Sequence, residues 1–241
     1  MCGRYVTTRG AARLSEAFEA SDETGDRLTA HYNVAPTSAV PIVRQAPDAV
    51  TGQPAPRLLS LARWGLVPHW ARDPRGGARM INARSETVAT TRAYAPSFAR
   101  RRCLVPADGW YEWTRHDGGR QAFYLTPRDG RVLAFAGIWS VWGDADQPLL
   151  TCSVLTTAAV GELTRVHERM PLLLPADRWG SWLSGPGDPA DLLTPPGPDT
   201  VAGIEIRPVG PAVGNVRYDG PELIARVSPD AAEGPDTLPL F

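Results

Sequence analysis

Residues 103–140 read CLVPADGWYEWTRHDGGRQAFYLTPRDGRVLAFAGIWS. Three runs of apolar, β-branched and aromatic residues in this stretch are separated by Asp117-Gly118-Gly119 and by Asp129-Gly130. Asp-Gly pairs between such runs are typical of the tight turns of β-hairpins. The pattern therefore predicts a meander of antiparallel strands in this part of the chain, with hairpins at both turns.

Further elements are predicted on both sides of this meander. Short runs of strand character cover residues 3–7, 40–44, 58–64, 149–156 and 203–209. Helical spacing covers 9–20 with Thr8 as its N-cap, 85–92 with a second piece reaching Arg100, a short helix at 158–164, and 175–183. Residues 72–79 are basic, glycine-rich and expected to be mobile, and 46–56 is expected to be a loop or hairpin tip.

Strands outnumber helices in this reading, so the predicted fold class is α+β. We expect a single domain, residues 2–227, with one curved, barrel-like and mostly antiparallel β-sheet flanked by short helices. A chain of 241 residues, 43% of them hydrophobic, is long enough to bury the core of such a domain. Residues 228–241 are expected to be a disordered tail.

Composition restricts the class of protein. The formal net charge is −1, which gives no global signature of nucleic-acid binding. All 25 basic residues are arginine, so a Schiff base could use only the N-terminal amine. Three cysteines without a CxxC pair argue against a disulfide framework and a standard zinc site. Because the chain shows no secretory h-region and no apolar run of membrane-spanning length, we expect a monomeric, reduced, cytoplasmic protein.

The first four residues, Met1-Cys2-Gly3-Arg4, carry an unusual nucleophile if the start methionine is removed. Cys2 then holds a free α-amine and a thiol on one carbon skeleton. Such a 1,2-aminothiol reacts with an aldehyde through nitrogen and sulfur and closes a five-membered thiazolidine ring, which an internal cysteine cannot do. The alternative is that Cys2 is an incidental residue on a frayed terminus.

Four further polar residues lie in apolar surroundings, and each has two interpretations. Glu112, between two aromatic residues, is either a general acid with a raised pKa or a solvated carboxylate. His167 is either a catalytic residue or a capping or surface histidine. Asn82 either orients the N-terminal group or belongs to a turn, and Arg84 either binds phosphate or caps a helix.

Six motifs that contain these residues occur in a fixed order. They are MCGRY (1–5), YNVAP (32–36), WGLVP (64–68), INARSET (81–87), PADGWYEW (106–113) and HERMP (167–171). Each motif is weak by itself, but their common order over nearly the whole chain resembles the SRAP family, the SOS response-associated peptidases of bacteria and eukaryotes.

The resemblance implies a protein that binds single-stranded DNA and crosslinks covalently to abasic sites through its N-terminal cysteine. Carried over motif by motif, Cys2 is the crosslinking residue and Asn82 holds its amine and thiol. Glu112 acts as acid and base, and His167 assists opening of the sugar ring and proton transfer.

The resemblance also implies the residues that contact DNA, which are Arg4, Asn33, Pro36, Trp70 and Arg84. Arg4 and Arg84 would hold phosphates beside the lesion, while Pro36 and Trp70 would stack against the bases or part them. A histidine precedes Trp70 where other family members often carry a second aromatic residue, so the stacking surface is expected to be smaller here. When bound to DNA, the protein would be associated with the nucleoid.

The chemistry of the residues agrees with this interpretation. An abasic deoxyribose is in equilibrium with an open-chain aldehyde. An α-amine of pKa ~7.8 is unprotonated roughly 400-fold more often at neutral pH than a lysine amine of pKa ~10.4. The scheme needs no metal and no cofactor, and we expect neither.

Two other functions stay open at this point. The first is an N-terminal-nucleophile cysteine peptidase that uses Cys2 with His167 or Glu112, with self-removal of Met1 as its mildest form. The substrate distinguishes the two, since one acts on aldehyde-bearing DNA and the other on a peptide bond. The second is a non-catalytic single-strand-binding module that uses only arginines and tryptophans, which leaves the Cys2 constellation unexplained.

Overall fold

The computed structural model describes residues 2–46, 55–116, 119–144, 146–184 and 190–227. The strands are β1 (Arg4–Thr7), β2 (Ala20–Asp22), β3 (His31–Val34), β4 (Ala39–Gln45), β5 (Arg57–Trp64), β6 (Asn82–Arg84), β7 (Arg102–Ala107), β8 (Gly109–His116), β9 (Gly119–Pro127), β10 (Leu133–Trp142), β11 (Leu149–Ala158), β12 (Arg169–Pro171) and β13 (Ile204–Val209). The α-helices are α1 (Ala11–Phe18), α2 (Ala95–Arg100), α3 (Ala176–Leu183) and α4 (Pro198–Ala202).

Five of the strands close into a barrel. They follow the order β5-β4-β7-β10-β11 with antiparallel contacts, and β11 then pairs in parallel with β5, where Cys152 lies opposite Trp64. Where β5 leaves β11, β6 continues the parallel pairing along the same strand. The predicted α+β class with a curved, barrel-like and mostly antiparallel sheet is confirmed.

A second sheet, in the antiparallel order β13-β9-β8-β1-β3, packs against the barrel. Tyr5 of β1 contacts Trp64 of β5 edge-to-face, with ring centroids 5.2 Å apart. Tyr5 and Trp110 of β8 each contact Phe135 of β10 at 6.0 Å. These buried rings fix the beginning of the chain over the barrel interior.

The helices α1, α2 and α3 cover the outer face of the barrel. Leu14 and Phe18 of α1, Phe98 of α2 and Trp182 of α3 belong to one buried cluster with the outward residues of the barrel strands. The four α-helices in the part of the chain that the structure describes are five to eight residues long. Within the described ranges, none of the helices combines the length and apolar character needed to cross a bilayer.

One of the two predicted hairpins is wrong. The ladder between β8 and β9 extends to His116 opposite Gly119, as a hairpin requires, although its turn residues 117–118 lie outside the described residues. Asp129-Gly130 does form a turn, with Gly130 at φ +68°. However, β9 pairs with β8 and β13, whereas β10 pairs with β7 and β11. This turn therefore returns the chain from the second sheet to the barrel.

The basic glycine-rich stretch is ordered, which corrects the expectation of mobility. Residues Pro74–Arg79 form a 3-10 helix that packs against Gly65 at the end of β5. A Cβ atom on Gly77 would lie 2.6 Å from the Gly65 carbonyl oxygen, and one on Gly65 would lie 2.5 Å from the Gly77 carbonyl oxygen. The two glycines are thus required by a close backbone contact.

Other local expectations are corrected as well. α1 begins at Ala11 after Gly10, and the Thr8 hydroxyl donates instead to Asp108 at 2.7 Å. Residues 85–92 form turns, and the helix of that region is confined to α2. The 158–164 helix is a 3-10 helix at Gly161–Arg165. Residues 47–54 of the predicted loop and the predicted tail 228–241 lie outside the described residues.

The glycine contact gives a prediction with an adjacent control. We expect Gly77→Ala to lower the free energy of unfolding by at least about 2 kcal/mol, because the backbone of Gly65 cannot move aside cheaply. Gly76 has open space around it, so Gly76→Ala should change stability by no more than about 0.5 kcal/mol. Urea denaturation of both variants is the measurement, and equal effects at the two positions would contradict the contact.

Candidate active site

Cys2 and the strand β1 that follows it lie inside the protein. β1 is held between β3 and β8, with Tyr5 opposite Val34 and Trp110. Cys2 is fully buried, and its thiol lies 3.9 Å from the Arg4 carbonyl oxygen. Burial, and then the nearby charge of Glu112, raise the pKa of the Cys2 thiol well above its ordinary value. Cys2 is therefore part of the core and not of a frayed terminus.

Asn82 holds the backbone of Cys2. Its side-chain amide donates to the Cys2 carbonyl oxygen at 2.7 Å. The backbone carbonyl of Asn82 accepts a hydrogen bond from the Tyr94 hydroxyl at 3.0 Å, and the preceding Ile81 carbonyl accepts one from the Trp64 indole at 2.9 Å. Asn82 lies in β6 and is anchored on both sides, so its interpretation as a turn residue is wrong.

Glu112 lies on β8 with only 3% of its surface exposed. Strand alternation puts it on the same face as the buried Trp110 and directly opposite Phe123 of β9. Burial raises the pKa of its carboxyl to about 7, while the positive charge of the amino terminus acts in the opposite direction. Its interpretation as a solvated carboxylate is wrong, and the carboxyl can give or accept a proton near neutral pH.

His167 lies between the 3-10 helix Gly161–Arg165 and β12. Its Nδ1 accepts the backbone N–H of Arg169 at 2.8 Å, so the proton of the neutral ring is on Nε2. Burial, followed by the charge of the amino terminus, lowers the pKa of His167 and favours the neutral ring at neutral pH. The ring is thus oriented to offer one N–H donor.

Cys2 and Glu112 lie close together, because the charge of Glu112 raises the pKa of the Cys2 thiol. Arg169, whose backbone orients His167, binds the Thr156 carbonyl of β11, the strand that also pairs with β6. Asn82 joins them through its bond to Cys2. Within the described part of the chain, no three His, Cys, Asp or Glu side chains cluster as metal ligands do.

Two of the five residues predicted to contact DNA are held within the protein. The Arg4 guanidinium donates to the Asn33 side-chain oxygen at 2.8 Å and to the Val213 carbonyl at 2.9 Å. The buried Asn33 amide donates to the carbonyls of Val213, Asn215 and Tyr218. Partial burial lowers the pKa of Arg4. Asn33 therefore orients Arg4 and ties it to residues 213–218.

The other three predicted DNA contacts are accessible. Arg84 is exposed and stands two residues after Asn82, so β6 places both side chains on one face. Trp70 is 51% exposed, and the Arg92 guanidinium lies 5.3 Å from its ring centroid. Pro36 is partly exposed. Cationic and aromatic side chains are thus available on the surface, as binding of a single strand requires.

An ion pair that was not predicted from the sequence connects two of the motifs. The Arg169 guanidinium binds both carboxylate oxygens of Glu86, at 2.5 and 3.0 Å, and also the Thr156 carbonyl at 2.6 Å. Since the Arg169 backbone orients His167, this pair links the histidine to the segment that follows Arg84. The sequence signal for this pair was a glutamate in the INARSET motif and an arginine in the HERMP motif.

Comparisons with known proteins agree on the kind of protein. The profile of the family described as SOS response associated peptidase (SRAP) matches residues 1–216. The chain is 30% identical over 236 residues to the abasic site processing protein YedK of Escherichia coli, covering 94% of this chain and 100% of that protein. It is 30% identical to the abasic site processing protein HMCES of Gallus gallus, covering 94% of this chain and 78% of that protein.

A crystal structure of a protein from Bacteroides thetaiotaomicron has the same fold, with a TM-score of 0.80 at 20% identity, covering 94% of this chain and 100% of that one. Fold and site together define a β-barrel protein with a buried cysteine at the beginning of its chain. The family profile identifies the class more narrowly, and the chain belongs to the SRAP family. The resemblance predicted from the six motifs is confirmed.

The buried carboxyl gives a pH-dependent prediction. Because folding raises the pKa of Glu112 from 4.5 to about 7, the folded state binds the extra proton, and stability is lost as pH rises through this window. Glu112→Gln imitates the protonated carboxyl. We expect it to match the wild type at pH 4.5 and to be more stable by about 3 kcal/mol at pH 8.

Chemical denaturation at both pH values is the measurement. The exposed Glu16 of α1 offers a matched control, and Glu16→Gln should stay within about 0.5 kcal/mol of the wild type at both. A wild type that gains stability from pH 4.5 to pH 8 relative to Glu112→Gln would contradict the burial of this charge.

Proposed function

We propose that this protein processes abasic sites in single-stranded DNA by forming a covalent thiazolidine crosslink between Cys2 and the aldehyde of the site. The observation that carries this proposal is the buried carboxyl of Glu112, with a pKa of about 7, beside the buried thiol of Cys2. The names of the relatives support the substrate, since they are abasic site processing proteins.

The reaction begins when removal of Met1 frees the amine of Cys2. The amine adds to the aldehyde carbon, and the resulting carbinolamine loses water to give an imine. The thiol sulfur then bonds to the imine carbon, and its proton passes to the imine nitrogen. One water is released overall, and the closed ring removes the imine that would promote β-elimination at the 3′ side.

The protein groups supply the proton transfers. Protonated Glu112 donates to the leaving hydroxyl, and its carboxylate form accepts the thiol proton, two roles that a pKa near 7 suits. His167 donates its Nε2 proton to the sugar ring oxygen as the ring opens. Each transfer contributes roughly 10²–10⁴-fold to the rate. Asn82 holds the Cys2 backbone so that the amine and the sulfur approach the same carbon.

Binding of the strand uses the accessible residues. Arg84 contacts a phosphate beside the lesion, and Pro36 and Trp70 contact the bases. Arg4 contributes its positive charge from the position fixed by Asn33, so Asn33 supports DNA binding by orienting Arg4.

The peptidase alternative uses the same groups but requires a thiolate as the first nucleophile. Burial raises the pKa of the Cys2 thiol and disfavours the thiolate. This favours a reaction in which the amine attacks first and the sulfur second. Self-removal of Met1 stays a prediction.

The mechanism requires both the amine and the thiol. Cys2→Ala keeps the amine, so it should form only a transient imine that borohydride traps, and no stable adduct. A residue that resists removal placed before Cys2 keeps the thiol and should also abolish the stable adduct. The measurement is a denaturing gel of each variant with abasic single-stranded DNA.

Cys152→Ala is the matched control, because Cys152 is equally buried but has no free amine. It should form the adduct at the wild-type rate. A stable adduct from the N-terminally extended protein would contradict the thiazolidine mechanism.

The proposed phosphate contact predicts a change in salt dependence. Arg84→Ala should weaken binding to single-stranded DNA and reduce the slope of log K against log salt by about 0.7, the effect of one lost contact. Arg100→Ala removes an exposed arginine from α2 and should leave the slope unchanged. Fluorescence anisotropy at several salt concentrations is the measurement. Weaker binding of Arg84→Ala with an unchanged slope would mean that Arg84 acts on structure alone.

A further inference from the structure

A cavity of about 660 Å³ lies between the second sheet and the 3-10 helix Gly161–Arg165. One wall is the face of the second sheet that carries Glu112: Phe123 stands directly opposite Glu112, and Thr114 follows two residues later on the same face. The other wall includes Val166, the residue before His167. The volume is within the ~300–1,000 Å³ typical of small-molecule sites. The lining thus includes direct neighbours of Glu112 and His167, two residues of the proposed site.

The chemistry of the cavity suits a flat, apolar ligand that carries a negative charge. Phe123 and Ile206 are partly exposed on its floor. Arg128 and Arg165 are exposed at its edge, where Arg165 also pairs with Glu162 at 2.6 Å. A nucleotide combines the two properties, since its base stacks on an aromatic ring and its phosphate binds an arginine.

The structure of an abasic strand provides a base that could enter such a cavity. The nucleotide next to the lesion has lost a stacking partner on one side. The Cβ atoms of residues directly opposite in an antiparallel ladder are about 5 Å apart. Phe123 is therefore an immediate neighbour of Glu112, the residue proposed to transfer protons at the lesion sugar.

We propose that this cavity binds the one nucleobase that flanks the abasic site, with the base stacked on Phe123 and its phosphate at Arg128. The proposal rests on the proposed function and adds a second recognition element to it. The protein would thus recognise the lesion partly through the unstacked base beside it.

The test measures binding without crosslinking. Single strands with one tetrahydrofuran site, which lacks the aldehyde, are compared with strands in which the base on the 5′ or the 3′ side is also removed. We expect the wild type to bind about tenfold more weakly when the base on one of the two sides is missing. Phe123→Leu, which keeps an apolar side chain, should bind every strand at that weaker level, and Phe123→Tyr should restore the preference.

Two results would overturn the proposal: a wild type indifferent to both flanking bases, or a Phe123→Leu variant that retains the preference. If Phe123→Leu does not fold, the variant Arg128→Ala tests the same proposal. It should lower the salt slope by about 0.7 relative to the control Arg100→Ala, and an unchanged slope would count against the cavity.

A denaturing gel with a true abasic site separates this proposal from the proposed function. An adduct without a flanking-base preference refutes the cavity alone. A flanking-base preference without an adduct refutes the crosslink and leaves the cavity standing.

Discussion

The hydrogen bond from the Asn82 side chain to the Cys2 carbonyl, 2.7 Å long, is the constraint on which the site depends. It connects the beginning of the chain to β6, a short strand that pairs only with the barrel strand β11 in the described part of the chain. β6 in turn follows the segment fixed by the contact between Gly65 and Gly77. Barrel closure thus determines where Asn82 stands, and Asn82 determines where Cys2 stands over the buried carboxyl of Glu112.

Sequence reasoning predicted most of the strands and failed where pairing partners had to be known. Alternation and Asp-Gly pairs locate strands because these signals are local. The turn at Asp129-Gly130 has the same local chemistry as a hairpin turn, yet its flanking strands belong to different sheets. Residues 72–79 looked mobile for a similar reason. A high glycine content indicates a flexible backbone when the stretch is considered alone. In the structure, Gly77 makes a close backbone contact with Gly65, a residue outside the stretch.

For the candidate site as well, the residues could be predicted from local signals, but their surroundings could not. Polar or reactive residues within apolar motifs can be recognised from the sequence alone. This is how the candidate site residues were predicted, namely Cys2, Asn82, Glu112 and His167. What the sequence could not supply is the environment of each group. The raised pKa of Glu112 arises from burial by residues distant in the chain, and the orientation of His167 depends on the backbone of Arg169. Burying a titratable carboxyl costs stability, a cost that the proposed acid–base role of Glu112 would explain.

Mass spectrometry of the digested adduct tests the central claim most directly. The protein is mixed with abasic single-stranded DNA, digested with protease and nuclease, and the crosslinked peptide is sequenced. The account predicts a peptide that begins at Cys2, with the sugar remnant attached through nitrogen and sulfur and a mass lower than the sum of the parts by one water. A crosslinked peptide that retains Met1, or attachment at another residue, would contradict it.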